Sequence, residues 1–169
     1  MGTEQEAASG GQRERITFER RYRASLADVW ELWTTKEGIE EWWGPDGYSV
    51  TVQTLELRVG GALEYSMTAT APPQIEFMKK SGMPTTTRTR GTFTEVVFQE
   101  RLAFTQIADF IPGVPPYPVE TTVEMQPTAD GVRMLVTIDR MHDANWTEMA
   151  VKGWEMELRR LERSLEKRA

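Results

Sequence analysis

The chain has 169 residues and a net charge of −6, and it contains no cysteine and a single histidine, His142. The lack of cysteine excludes disulfides, zinc–thiolate sites, iron–sulfur clusters and thiol catalysis, and one histidine is too few for a multi-histidine metal site. An acidic chain without a basic stripe is poorly suited to nucleic acid or to an anionic membrane surface, because both are bound through clustered Lys and Arg. We therefore expect no nucleic acid or membrane as a partner, and no cofactor or metal.

The length favours one domain, which we place at residues 14–169. Residues 1–13 are polar and include Ser9-Gly10-Gly11, a composition typical of a flexible tail. No apolar signal core occurs near the N-terminus, and no stretch of the chain approaches membrane-spanning length. We therefore expect a cytoplasmic protein.

The first predicted elements are one strand and two short helices. The segment from Arg15 to Ala24 alternates in polarity, which predicts a strand. Ser25 to Asp28 resembles a capping box, which marks the start of a helix. Apolar residues at helical spacing indicate the helix itself: Leu26, Val29, Trp30 and Trp33. Thr35 can cap a second short helix. Gly44-Pro45 ends that helix, because proline cannot continue one.

The middle of the chain changes to the two-residue period of strands. Residues 48–58 alternate, with a change of parity between Val52 and Leu55 that indicates a β-bulge. Asp130-Gly131 is a strong hairpin-turn signal between two later strands. The strands after the bulge are predicted near residues 63–67, 89–98, 102–108, 119–125 and 132–138.

Two segments interrupt these strands. Residues 71–88 contain Pro, Thr and Lys and are predicted as a loop with one helical turn near Ile75 to Lys79. Residues 109–118 include the run Pro112-Gly113-Val114-Pro115-Pro116 and are predicted as a second loop. If the domain encloses a cavity, we expect both loops near its entrance, where they would gate it.

The C-terminal segment predicts one long helix. Asn145 resembles a polar N-cap, and one apolar stripe follows: Trp146, Met149, Ala150, Gly153, Trp154, Leu158, Leu161 and Leu165. A helix of about 22 residues would be about 33 Å long and could cross a small sheet. A consecutive run of strands followed by a terminal helix predicts an antiparallel α+β fold.

Several short motifs occur along the chain in a set order: Ala24–Thr34, Glu41-Trp42-Trp43-Gly44-Pro45, Leu57–Gly61, Gly91–Val96 and Gly153-Trp154. In this order they resemble the SRPBCC (START-like) superfamily, and more specifically the family named after the activator of the ninety-kilodalton heat-shock protein's ATPase. The resemblance spans residues 14–168. It implies a helix-grip fold, with a curved antiparallel sheet of six to seven strands around the C-terminal helix and two short helices after the first strand. The 71–88 insertion and the Pro-rich 111–118 loop depart from the family pattern.

Six tryptophans and nine methionines are unusual for this length, and such large or adaptable apolar side chains suit an irregular cavity. The inward-facing residues of sheet and helix predict a pocket for a small apolar or amphipathic molecule, with these ligand contacts: Trp43, Tyr65, Phe93, Phe104, Met134, Met149, Gly153 and Trp154. The alternative is that the same side chains fill the core. Gly153 costs helix stability, which either close approach of a strand or room for a ligand should offset.

Three functions follow from these features. The favoured one is a non-catalytic carrier or sensor of a small apolar ligand, with no catalytic residue assigned. The family resemblance implies a second, a co-chaperone that binds a protein partner, which a large exposed apolar patch would favour. A third is a cyclase or dehydratase, as some superfamily relatives are, to be tested first at His142, Tyr65 and Glu95. His142, beside Asp143, is either a base at the pocket mouth or a polar residue at a strand-to-helix junction.

Overall fold

A computed structural model describes residues 14–168, so the predicted flexible tail of residues 1–13 lies outside the described residues. The elements follow in this order: β1 (Arg15–Tyr22), α1 (Leu26–Thr34), α2 (Lys36–Trp42), β2 (Tyr48–Leu55), β3 (Ala62–Ala69), α3 (Pro72–Lys80), β4 (Thr86–Val97), β5 (Arg101–Ala108), β6 (Tyr117–Thr128), β7 (Gly131–Asp139) and α4 (Ala144–Glu166). The predicted α+β helix-grip architecture, with two short helices after the first strand and a long C-terminal helix, is confirmed.

All strands join one seven-stranded antiparallel sheet in the order β1-β7-β6-β5-β4-β3-β2. The strands β1 and β2 are consecutive in the chain but form opposite edges of the sheet. The helices α1 and α2 bridge the distance between these edges. Their apolar faces bury Val29, Leu32, Trp33 and Trp42 in the core that also holds the C-terminal half of α4.

The two short helices begin where their capping residues predict. Ser25 Oγ accepts a hydrogen bond from the Asp28 N–H at 3.0 Å, and Thr35 Oγ1 accepts one from the Gly38 N–H at 3.0 Å. The predicted bulge is also confirmed, because the β2–β3 register shifts between Val52 and Thr54. Local hydrogen-bonding chemistry is strong enough at these points to set the element boundaries.

The loop predicted over residues 71–88 is shorter than expected, because the single helical turn predicted near Ile75 to Lys79 is part of a nine-residue helix. Residues Pro72–Lys80 form the helix α3, and β4 begins at Thr86. Pro72 and Pro73 stand in the first turn of α3, where the missing N–H of proline costs no hydrogen bond. Met78 then packs on Met83 and Ala69, so tertiary contacts stabilise a helix whose own apolar pattern is weak.

The N-cap of α4 lies two residues earlier than predicted. Asp143, and not Asn145, is the N-cap, since Asp143 Oδ1 accepts the Trp146 N–H at 2.7 Å. The helix has 23 residues, close to the predicted length. It therefore runs along the sheet with its first half and against the short helices with its second.

A half-buried arginine fixes α4 to the turn after α2. Arg160 Nη1 donates to the carbonyl oxygens of Gly44 at 2.6 Å, Pro45 at 3.3 Å and Trp43 at 3.5 Å. Gly44 itself has a φ of 91°, a left-handed conformation that favours glycine. The turn and the helix therefore hold each other in place.

Replacing Arg160 with methionine should lower the free energy of unfolding by about 1–3 kcal/mol, because partly buried carbonyl oxygens lose their donor. Chemical denaturation measures this change. The matched control is Arg159→Met, which alters the exposed neighbour on the same helix and should shift the value by no more than about 0.5 kcal/mol. Equal losses in the two variants would show that the anchor does not stabilise the fold.

Candidate functional site

A pocket of about 290 Å³ lies between the sheet and the N-terminal half of α4. This volume is near the lower end of the range for small-molecule sites. The helix contributes Trp146, Met149, Ala150, Gly153, Trp154 and Glu157, and the strands contribute Tyr65, Met67, Thr89, Gln106, Ala108, Thr121 and Ile138. The rim is formed by α3, the loop that follows it and the loop after β5, through Phe77, Met78, Met83 and Phe110. Most of the wall is apolar, with a few polar groups.

Trp43 separates this pocket from the filled core. Its ring packs edge-to-face on Trp42 and on Trp154, with centroids 5.0 Å apart in each case. On the other side, Phe104 and Phe93 surround a void of only about 10 Å³. That void is the size of about one water molecule. The space large enough for a ligand therefore lies on the α4 side of Trp43.

The predicted ligand contacts fall into two groups. Those on the pocket wall are Trp43, Tyr65, Met149, Gly153 and Trp154. Phe93 and Phe104 lie behind Trp43 and Tyr65 in the core, and Met134 is fully buried on β7, where it pairs with Met125 of β6. Ligand contact stays a prediction for all eight residues.

Gly153 faces open space. A Cβ built at this position would have no atom of the described residues within 4 Å, apart from its two chain neighbours and its own helix backbone. Close approach of a strand therefore does not explain this glycine, which leaves room in the pocket as the explanation. A side chain here would project into the space beside Trp154.

Glu157 is a buried acid on the pocket wall. It is not among the site residues that the sequence predicts. Burial raises the pKa of its carboxyl to about 8, against the opposing effects of a hydrogen bond from the Gly44 N–H and of the Arg160 charge. A signal for it exists in the sequence. Glu157 follows Trp154 by three residues and precedes Leu158, so it interrupts the apolar stripe of α4.

Tyr65 supplies a second buried polar group. Its hydroxyl accepts a hydrogen bond from Gln106 Nε2 at 2.6 Å. Burial raises the pKa of the Tyr65 hydroxyl to about 12, and the negative charge of Glu157 adds to that rise. Tyr65 and Glu157 are therefore both predominantly neutral at pH 7, and they present hydrogen-bonding groups in place of charges.

The structure does not bring the other two candidate catalytic residues to this wall. His142 Nδ1 lies 2.9 Å from the Tyr117 hydroxyl, and Nε2 lies 3.3 Å from Asp143 Oδ2. This arrangement fits the interpretation of a polar strand-to-helix junction. Glu95 accepts from Arg101 Nε at 2.7 Å, in an ion-pair cluster on the sheet away from the pocket.

Two further features are absent from residues 14–168, the part of the chain that the structure describes. No group of three or more His, Asp or Glu side chains in this range could hold a metal ion. None of the helices in the same range has the length and apolar character needed to cross a bilayer.

Comparison with known proteins gives a consistent picture. The model of the protein family described as Activator of Hsp90 ATPase homolog 1-like protein matches residues 23–166. Among similar solved structures, a protein from Chromobacterium violaceum has a TM-score of 0.75 at 24% identity, with 90% of this chain and 96% of that chain covered. An AHSA1 protein from Silicibacter pomeroyi has a TM-score of 0.71 at 17% identity, with 92% and 100% covered. Such identities show a shared fold alone. A search of curated proteins found no significant match.

The buried carboxyl of Glu157 should make stability depend on pH. In the unfolded chain its pKa is 4.5, and in the folded chain it is about 8. Between these values the folded state keeps a proton that the unfolded state has lost. The free energy of unfolding therefore falls as pH rises, by up to about 1.4 kcal/mol per pH unit, and the loss is complete above the folded pKa.

Glu157→Gln removes this titration. The melting temperature of the variant minus that of the wild type should therefore increase steadily between about pH 5 and about pH 8. The control is Glu162→Gln, at an exposed position of the same helix, for which the difference should stay flat. A flat difference for Glu157→Gln as well would contradict the buried, protonated state.

Proposed function

We propose that this chain, which belongs to the family of Activator of Hsp90 ATPase homolog 1-like proteins, binds a small apolar or amphipathic molecule beneath α4 as a non-catalytic carrier or sensor. Membership of the family indicates a ligand-binding or co-chaperone-like module. The observation that carries the proposal is the open space in front of Gly153, which faces the pocket of about 290 Å³. Glycine in a helix interior costs about 1 kcal/mol of stability relative to alanine. A ligand site at this position explains why α4 has a glycine there.

The wall of the pocket suits such a ligand. Trp43 and Trp154 meet at nearly a right angle, with an interplanar angle of 88°, and both rings line the same space. A ligand that buried about 200 Å² of apolar surface there would gain about 5 kcal/mol before the cost of association. Micromolar affinity is therefore within reach only when the ligand also forms hydrogen bonds.

The rim supports entry from the side of α3. Phe77 is 44% exposed, and Met78 and Met83 are buried beneath it. Methionine and an exposed phenylalanine can change rotamer at low cost, so these side chains can move aside to admit a ligand. The insertion at residues 71–88, which departs from the family pattern, therefore forms part of the rim, and we expect it to set ligand preference.

A second candidate function is surface binding of a protein partner. Leu57, Val59, Val97 and Phe98 are exposed, and Phe98 is 73% exposed. The β2–β3 loop and the end of β4 lie at the same end of the sheet, because β3 and β4 are antiparallel. This end is opposite the pocket entrance, so the two candidate functions use separate surfaces. Cytoplasmic residence stays the prediction for both.

The second candidate has its own test. Phe98→Ser should abolish stimulation of an Hsp90 ATPase if the exposed apolar end of the sheet binds that partner, and Gly153→Leu should leave stimulation intact. The measurement is the steady-state ATPase rate with and without this protein. No stimulation by the wild-type protein would remove the candidate.

The main proposal is tested with N-phenyl-1-naphthylamine, an uncharged fluorescent probe. Its binding should shift the indole N–H NMR signals of the pocket tryptophans, Trp43, Trp146 and Trp154. The signal of Trp30, which is not on the pocket wall and whose ring packs on Phe98, serves as the internal reference. The melting temperature should rise with probe concentration.

Gly153→Leu should weaken probe binding by about tenfold or more, because the added side chain occupies the probe's volume. Gly153→Ala should weaken it less and raise the stability of the free protein by up to about 1 kcal/mol. The control is Lys152→Leu, which adds leucine on the exposed side of α4. Equal affinity in wild type and Gly153→Leu, or uniform shifts of all six indole signals, would contradict a site in the pocket.

A further inference from the structure

Polar side chains meet at one point of the otherwise apolar wall, around the hydroxyl of Tyr65. Gln106 Nε2 donates to that hydroxyl at 2.6 Å. Trp43 Nε1 also lies close to it, yet this buried N–H forms no hydrogen bond of normal geometry with any described residue. A buried donor without an acceptor costs about 1–3 kcal/mol, so an acceptor supplied by a ligand would recover that energy.

The directions of these hydrogen bonds favour an acceptor atom on the ligand. Because the Tyr65 oxygen accepts from Gln106, the Tyr65 proton is available to donate. The indole N–H of Trp43 can only donate. Thr89, the cross-strand partner of Tyr65, lies beside the same hydroxyl and completes the polar group. One ligand oxygen with two lone pairs matches the two donors.

The charges around the pocket favour an uncharged ligand. No Lys or Arg of the described residues lies on the wall. Arg160, the nearest cation to Glu157, already donates to backbone carbonyls through Nη1. An anionic head group would therefore lose its hydration without gaining a counter-ion.

A cationic ligand is also disfavoured. Its own N–H groups would face the donors of Tyr65 and Trp43. Asp139, at the pocket edge, is already paired with Arg15 Nε at 3.2 Å. Glu157 is the remaining acid of the wall, and it already accepts the Gly44 N–H.

We infer that the inner end of this pocket is a polar subsite in which Tyr65 and Trp43 donate hydrogen bonds to the carbonyl oxygen of an uncharged, otherwise apolar ligand. Gln106 positions the Tyr65 hydroxyl. This subsite rests on the proposed function, since it requires that a ligand occupies the pocket. It deepens that function by naming the ligand class as aryl or alkyl ketones, aldehydes, esters and similar neutral carbonyl compounds.

The test compares two probes of nearly the same shape, 2-acetylnaphthalene and 2-isopropenylnaphthalene. The first has a carbonyl oxygen where the second has a CH₂ group. The measured quantity is the ratio of their dissociation constants, by titration calorimetry at pH 7. Tyr65→Phe should reduce the preference for the ketone by about tenfold, because one hydrogen bond is lost. Tyr22→Phe is the control, as it removes the hydroxyl of another buried tyrosine that is not on the pocket wall. It should leave the ratio unchanged.

A second measurement needs no variant. In the wild-type protein the ketone should move the Trp43 indole N–H signal downfield, as expected for a new hydrogen bond, and the alkene should not. Two charged probes, 2-naphthoate and 2-naphthylmethylammonium, should bind more weakly than the ketone. Tighter binding of either charged probe would overturn the uncharged subsite.

The remaining outcomes distinguish a failure of the polar subsite from a failure of the proposed ligand-binding function. If both neutral probes bind but the ratio is the same in Tyr65→Phe and the Trp43 signal responds equally to both, the polar subsite is wrong and the apolar pocket stands. If neither neutral probe binds the wild-type protein, the ligand-binding function itself is wrong, and the subsite falls with it.

Discussion

The edge-to-face packing of Trp43 is the contact on which the rest of the site depends. Trp43 is the C-cap of α2, and its ring lies between the filled core and the pocket. The turn that follows it is held by Arg160 of α4, so the helix that forms one wall also fixes the ring that forms another. A tryptophan at the end of a short, capped helix can be held at nearly fixed orientation, because the backbone on both sides of it is bonded. The pocket is therefore bounded by a rigid element on its inner side and by the more adaptable α3 on its outer side.

The helix α4 carries two residues that weaken it as a structural element. Gly153 lowers helix propensity, and Glu157 places a carboxyl where an apolar side chain would pack. Both stand on the pocket side of the helix, within four residues of each other. Local choices that conflict with stability are expected at functional sites, where the rest of the fold offsets their cost. Here the apolar residues Leu158, Leu161 and Leu165 supply the offset, since all are buried against the short helices and the sheet.

Sequence reasoning succeeded where a local signal decides the structure. Ser25 and Thr35 cap their helices because a side-chain oxygen reaches an N–H three residues on, and no distant contact is needed. It gave only one turn of α3, whose helix is stabilised by a small apolar cluster around Met78 that Tyr48, Phe110 and Trp146 join from other elements. Trp43, Trp154, Phe93 and Phe104 were all assigned to the pocket as inward-facing side chains. Phe93 and Phe104, however, lie behind Trp43 in the core. Alternation shows which face of a strand is apolar, but it does not show where along that face the space opens. Glu157 was missed because acids on helices are usually solvated.

The most direct test of a ligand site beneath α4 is a crystal structure of the wild-type protein soaked with 2-acetylnaphthalene. The account predicts density for the naphthalene ring in front of Gly153, against Trp43 and Trp154, with the carbonyl oxygen within hydrogen-bonding distance of the Tyr65 hydroxyl. Density in the pocket with the carbonyl turned to the rim would keep the ligand site and remove the polar subsite. A pocket closed by Met149 and Trp154, with the compound bound only elsewhere on the surface, would contradict the central claim.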